Sequence, residues 1–157
     1  MKKRLMTLSM CLILLMGFIM NSSAMGVTSD RTIEYFDDGS YAVTEIREID
    51  NITTRSSITT KVVAKDYHLY DGDGAVIFTF TVTGTFEVNY GVSTKCTKAT
   101  PSTKINDSAW RLISQSAWPS GNQAIATATF KRYMLGIPVR TETPTVTLTC
   151  DKYGNFT

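Results

Sequence analysis

The stretch AVIFTFTVTGTFEVNY, residues 75–90, decides the fold class of this chain. Apolar side chains recur at every second position from Val76 to Tyr90, with Gly84 as the one gap, and the positions between them from Thr79 to Asn89 are mainly threonines. The apolar row consists of Val76, Phe78, Phe80, Val82, Phe86, Val88 and Tyr90. This alternation predicts a β-strand with one buried face. We interpret the threonine row as the solvent face of a half-buried sheet, because threonine is a favoured strand residue that pairs well across strands.

Further period-two segments, separated by turn residues, run along the rest of the chain. Strands are expected at 32–36, 41–49, 61–70, 75–90, 92–99, 123–133 and 144–150, and turns at DDGS (37–40), DGDG (71–74), PSGN (119–122) and MLGIP (134–138). The segments 50–57 and 101–108 are expected as loops. SAWRLISQSAW, residues 108–118, fits a helix or a strand, and its context favours the strand. About eight strands predict an all-β, antiparallel β-sandwich, with a β-barrel as the alternative.

The N-terminus predicts export. MKKR is a short positive region, the stretch from Leu5 to Met20 is 16 residues long and mainly apolar, and NSSA supplies small residues for cleavage after Ala24. A membrane-spanning helix needs about 20 apolar residues. We therefore predict a cleaved signal peptide at 1–24 and a single β-sandwich domain at 25–157, with an uncleaved membrane anchor as the alternative.

Cleavage also changes the charge of the chain. Loss of Lys2, Lys3 and Arg4 leaves 13 Lys and Arg against 14 Asp and Glu, so the net charge of the mature domain is −1. A near-neutral surface gives no electrostatic reason to bind phosphates or anionic lipids. We expect no nucleic-acid partner, and no membrane partner once the signal peptide is removed.

Two cysteines, Cys96 and Cys150, remain in the mature domain. Each shares a strand face with apolar neighbours, so both thiols are expected to point inward. An even pair in an exported protein predicts a disulfide, here Cys96–Cys150. Two free buried thiols are the alternative.

Residues for common catalytic and metal sites are scarce or unpatterned. His68 is the only histidine, and without a GxSxG segment it does not predict a catalytic triad. One histidine and two bridged cysteines do not make a tetrahedral zinc site, and DGDG lacks the later glutamate of a calcium loop. No pair stands out among the carboxylates Glu34, Glu45, Glu48, Asp50, Glu87 and Glu142. We expect no catalytic residues, metal or cofactor, and favour a non-enzymatic protein.

Exposed aromatic rings give the most concrete binding hypothesis. Trp118, Trp110 and Tyr133 are candidate ligand-binding residues, since a rigid ring suits a sugar or a protein partner. Trp118 precedes the PSGN turn, and Tyr133, Met134 and Ile137 surround the next turn, where they would form an apolar rim. The alternative is that Trp110 lies in the core and Trp118 caps the end of the sandwich.

The segments YFDDGSYAVTEI, TFTVTGTFEVNYGVSTKCT, WRLISQSA, SGNQAIATATFKRY and VTLTCDKYGN occur in this order along the mature chain. In this combination the chain resembles small secreted all-β proteins of Gram-positive, clostridia-like bacteria. The resemblance implies an exported all-β protein with paired cysteines. It implies no activity and no functional residue.

The sequence thus predicts a secreted or cell-surface protein that binds a macromolecule, such as a cell-wall polysaccharide or an extracellular protein. The first alternative is a carbohydrate- or cell-wall-binding module, which requires an exposed Trp118 beside another aromatic ring. The second is a carboxylate-dependent hydrolase, which requires two facing carboxylates in a cleft.

Overall fold

The computed structural model describes residues 31–52 and 57–157. The predicted signal peptide at 1–24 lies outside the described residues. The described chain forms nine strands: β1 (Thr32–Tyr35), β2 (Tyr41–Ile52), β3 (Ile58–Tyr70), β4 (Val76–Asn89), β5 (Ser93–Ile105), β6 (Trp110–Ser120), β7 (Gln123–Met134), β8 (Ile137–Glu142) and β9 (Thr145–Thr149). Within these residues no helix is long and apolar enough to cross a bilayer.

The strands form two antiparallel sheets. The first sheet is a meander in the order β1-β2-β3-β4-β5. In the second sheet β7 is central, with β6 on one side and both β8 and β9 on the other. The sheets stay open and pack face to face, so the all-β sandwich prediction is confirmed, with nine strands instead of eight.

The apolar row of β4 fills the core between the sheets. Phe78, Phe80, Val82 and Phe86 are fully buried, as the alternation predicts. Alanines and Phe130 of β7 face them from the second sheet, and the rings of Phe78 and Phe130 stack with centroids 3.9 Å apart. Large residues on one sheet therefore meet mainly small residues on the other, which allows close packing of the two layers.

Gly84 interrupts the apolar row because there is no space for a side chain. A Cβ atom at this position would lie 2.4 Å from Cε2 of Phe86 and 2.9 Å from Cβ of Ala124. The Phe86 ring folds over the glycine of its own strand, and Ala124 reaches it from the second sheet. The gap in the sequence pattern thus marks a point of close approach between β4 and β7.

Several strands are longer than predicted, and one was missed. The segment 108–118 is a strand rather than a helix, as expected, and extends as β6 to Ser120. β5 continues through Pro101 to Ile105, where a loop was expected. β5 is an edge strand, and proline is tolerated there because one side of the strand has no partner. β8 was not predicted because it contains Pro138 and its apolar and polar residues alternate only weakly.

The predicted disulfide is wrong. Cys96 and Cys150 both point into the core, as expected from their strand faces, but they are free thiols. The backbone N–H of Cys96 donates to the carbonyl of Gly121, and that of Cys150 donates to the carbonyl of Asn122. Sγ of Cys96 lies 3.3 Å from the carbonyl oxygen of Lys98, and Sγ of Cys150 lies 3.5 Å from that of Asp151, so each thiol faces a backbone carbonyl and not the other sulfur. Burial raises the pKa of both thiols, that of Cys150 to about 11.

Candidate functional site

Trp110 belongs to the core and offers no exposed ring to a ligand, contrary to its place among the candidate binding residues. It is only 3% exposed, and its ring meets that of Phe78 edge-on with centroids 5.5 Å apart. The guanidinium of Arg140 lies 5.6 Å above the indole. Trp110 therefore helps to close one end of the sandwich.

Arg140 connects the two sheets at this end. Its guanidinium pairs with Glu142 on its own strand and with Asp38 in the β1–β2 turn, and it donates to Oγ of Ser40. The hydrogen bonds from Ser40 are the main reason that the pKa of Asp38 is lowered, with the charge of Arg140 as a further cause. The charge of Arg140 is thus compensated within the fold.

Trp118 is exposed on the outer face of the second sheet. It is 43% exposed on the edge strand β6, directly opposite Ile125 of β7, which in turn pairs with Thr147 of β9. Hydroxyl side chains occupy the same outer face, which we call the hydroxyl face; they are Ser114, Ser116, Thr127, Thr129, Thr145 and Thr147. Among the described residues no aromatic ring is in contact with Trp118, so one of the two requirements for the carbohydrate alternative is met and the other is not.

The β7–β8 hairpin ends in exposed apolar side chains. Met134 pairs with Ile137, which leaves a two-residue loop of Leu135 and Gly136 with φ angles of 51° and 81°. Leu135 is 98% exposed, and Met134, Ile137 and Val139 are each more than half exposed. We call these four residues the apolar tip. Four exposed apolar side chains at one hairpin end favour an interaction surface.

The conformation of Leu135 strengthens this assignment. Two positive φ angles in a two-residue hairpin loop favour Asn-Gly or Asp-Gly, because asparagine, aspartate and glycine tolerate the left-handed region. A branched apolar residue there costs about 1–2 kcal/mol. Of the large apolar residues that the structure describes, the most exposed therefore occupies a position where a polar residue would be more stable. Backbone strain of this kind concentrates at functional sites.

Basic side chains lie just below the apolar tip. Arg111 of β6 stands directly opposite Lys131 of β7, and Arg132 of β7 stands directly opposite Arg140 of β8. Like charges in directly opposed positions destabilise a sheet. Arg111, Lys131 and Arg132 have no carboxylate within ion-pair distance among the side chains that the structure describes, those of residues 31–49 and 57–157. Arg111 and Lys131 share the outer face of the second sheet. Arg132 lies opposite the buried Trp110, and therefore on the other face at the same level of the hairpin. We call these three residues, which flank the hairpin on both faces, the basic cluster.

Tyr133 joins the apolar tip to the basic cluster. Its ring is half-buried, and the guanidinium of Arg111 lies 4.9 Å from the ring centroid. The sequence identified Tyr133, Met134 and Ile137 as an apolar rim at a turn, and the structure brings them together at one end of the hairpin. Sequence reasoning missed Leu135, although a Leu-Gly pair in a turn where Asn-Gly is expected was the available signal.

A second polar group lies on the outer face of the first sheet, at the threonine row. Thr81 is buried and donates from Oγ1 to Oδ1 of Asp66 at 2.6 Å, so its interpretation as a solvent-facing residue is wrong. Asp66 is also buried and pairs with the guanidinium of Arg47 at 3.2 Å. The buried carboxylate therefore has both a charged partner and a hydroxyl donor.

Glu45 and His68 complete this cluster. Nε2 of His68 lies 3.3 Å from Oε1 of Glu45, and its Nδ1 lies 2.9 Å from Oγ1 of Thr79. Ligand atoms of Glu45, Asp66 and His68 all lie within 4.8 Å of one another. Because Asp66 is already engaged, we interpret the cluster as a network that joins β2, β3 and β4 on their outer face.

Two concavities of the described surface have no acidic lining. One surrounds the β6–β7 turn and is lined by polar residues together with Cys150. The other lies at the side of the sandwich, where threonines, Lys65 and Tyr67 line it. Facing carboxylates in a cleft, which the hydrolase alternative requires, are not found in either concavity.

Comparison with known proteins gives no relative: no protein-family model, no curated protein and no solved structure matches this chain.

Proposed function

We propose that this protein is an exported, non-enzymatic binding module that recognises another macromolecule at the cell surface. The proposed binding surface is the apolar tip together with Tyr133. Export is supported by the positive, apolar and small-residue segments that follow one another at residues 1–24.

The observation that carries the proposal is the exposure of Leu135. A side chain that is 98% exposed, apolar and held at a positive φ contributes nothing to the packing of the fold. Its neighbours Met134, Ile137 and Val139 extend the same surface. Hairpin tips held on a rigid sandwich are common positions for recognition, because the sheets fix their geometry.

The test is the binding of the purified exported protein to intact cells of its native host. Wild type is compared with Leu135→Asn, in which asparagine suits the turn and removes the apolar side chain. The matched control is Val92→Asn, a change at an exposed apolar residue in the turn between β4 and β5. We expect the first variant to lose cell binding and the second to keep it. Equal binding by wild type and Leu135→Asn would refute the proposal.

A second candidate is a glycan-binding module that uses the hydroxyl face. Trp118 and Ile125 form a small apolar platform there, and surrounding hydroxyls such as Ser116 and Thr127 can exchange hydrogen bonds with a sugar. Retention on cell-wall polysaccharide is measured for wild type and Trp118→Ala. Ile113→Ala, at an exposed apolar residue of the same strand, is the control. Retention that is lost only in Trp118→Ala supports this candidate, and no retention of any form removes it.

A further inference from the structure

We propose that the partner of the apolar tip is the surface of a lipid bilayer that contains anionic headgroups. This inference rests on the proposed function because it concerns the same binding surface, and it puts a lipid surface in the place of a macromolecular partner. The near-neutral net charge of the mature chain gave the expectation that it has no membrane partner. The inference differs from this expectation because the charge is distributed unevenly, with the basic cluster beside the apolar tip.

The spacing along the hairpin fits the two layers of a membrane surface. Arg132 precedes Leu135 by three residues, which is about 10 Å in an extended strand. Interfacial segments bury their apolar parts about 5–10 Å into the boundary between headgroups and acyl chains. With Leu135 among the first acyl carbons, Arg132 and Lys131 therefore lie at the level of the lipid phosphates.

Tyr133 occupies the position between these two levels. Tyrosine rings are enriched where acyl chains meet headgroups, because the ring is apolar and the hydroxyl is polar. The guanidinium of Arg111 lies over this ring, which holds a further cation at the same height. The order along the hairpin, from apolar to amphipathic to basic, matches the order of a bilayer from its acyl chains outward.

The uncompensated charges explain why the bilayer should be anionic. Arg111 and Lys131 face each other across two strands without a carboxylate partner among the described residues. This arrangement repels in the free protein, and lipid phosphates and anionic headgroups would relieve the repulsion. A purely apolar protein groove would accommodate the tip but would leave these cations unpaired.

The test is co-sedimentation of the exported protein with vesicles of phosphatidylcholine containing 30% phosphatidylglycerol, and with vesicles of phosphatidylcholine alone. Leu135→Asn is expected to weaken binding at least about tenfold. This is the loss in affinity that corresponds to the transfer of one leucine side chain from water into an apolar environment. Loss of one cation in Arg132→Gln is expected to weaken binding to the anionic vesicles about fivefold. Val92→Asn should bind like wild type. All variants carry the same N-terminal residues, so any membrane affinity of that segment is common to them.

A local probe adds a readout that only insertion of the tip would change. In Leu135→Trp, the emission of the new indole should shift to shorter wavelength with anionic vesicles and should not shift without them. Circular dichroism confirms that each variant is folded. Absence of vesicle binding, equal binding by wild type and Leu135→Asn, or an unshifted indole would each overturn the inference.

The result also separates this inference from the proposed function. If Leu135→Asn loses binding to host cells while wild type does not bind vesicles, the binding module stands and its partner is a protein or a polysaccharide and not a lipid surface. If Leu135 is irrelevant in both assays, both proposals fall.

Discussion

Replacement of Gly84 by alanine tests how closely the two sheets pack. The new methyl group would meet Cε2 of Phe86 at 2.4 Å and Cβ of Ala124 at 2.9 Å, both well inside ordinary contact distance. The Phe86 ring cannot move freely because it packs edge-on against Phe156, with centroids 5.2 Å apart. Ala124 moves only if β7 moves with it. Relief of the clash therefore requires displacement of a buried ring or of a whole strand.

The magnitude follows from two opposing effects. Overpacking of a core by one methyl group costs about 1–3 kcal/mol. The loss of backbone freedom in the unfolded chain returns about 0.4–1 kcal/mol when alanine replaces glycine. We expect Gly84→Ala to lower the free energy of unfolding by about 1–2 kcal/mol and the melting temperature by several degrees.

Urea unfolding monitored by tryptophan fluorescence measures this loss, since the buried Trp110 becomes exposed on unfolding. Gly72→Ala is the matched control, because a Cβ there meets its nearest atom at 3.5 Å, an ordinary contact. It should be neutral or slightly stabilising. Adding Phe86→Leu to Gly84→Ala should reduce the penalty that Gly84→Ala causes. A Gly84→Ala protein as stable as wild type would refute the close approach of the sheets at this position.

Three further predictions concern the hairpin, an ion pair and the thiols. Leu135→Asn should raise the free energy of unfolding by about 1 kcal/mol, because asparagine tolerates the positive φ; an unchanged or lower thermal midpoint would contradict this. Arg140→Met should cost about 2 kcal/mol in urea unfolding, because Glu142 is left half-buried without its partner, and adding Glu142→Gln should recover part of the loss. Burial raises the pKa of Cys150 from 9.0 to about 11, so the unfolded thiol ionises first and stability should fall as pH rises from about 9 to about 11. This fall should be smaller in Cys150→Ala, and equal slopes for the two proteins would count against a buried neutral thiol.

The strands that could be predicted from the sequence are those in which the alternation of apolar and polar residues is clear within the strand itself. The alternation in β4 identifies the buried residues correctly, since side chains of a strand must point to opposite faces. β8 was not predictable, because Ile137–Glu142 becomes a strand only through pairing with β7. Pattern information is weak for short strands that contain proline.

The surface was less predictable than the core. Strand parity gave the inward direction of Cys96 and Cys150 but not their separation, which depends on how the sheets are placed. Asp66 could not be recognised as buried, because its partners Arg47 and Thr81 come from neighbouring strands. Such networks arise from register between strands, which a single sequence does not reveal.

Pro101 affects how molecules of this protein associate at high concentration. β5 forms one edge of the first sheet, and besides the proline it carries the exposed side chains of Lys95, Lys98 and Lys104. Proline offers no N–H to an incoming strand, and lysines on an edge repel the same edge of a second copy. Strand-to-strand polymerisation through this edge is therefore disfavoured. At high local concentration, separate molecules are therefore kept from joining through this edge of the sheet.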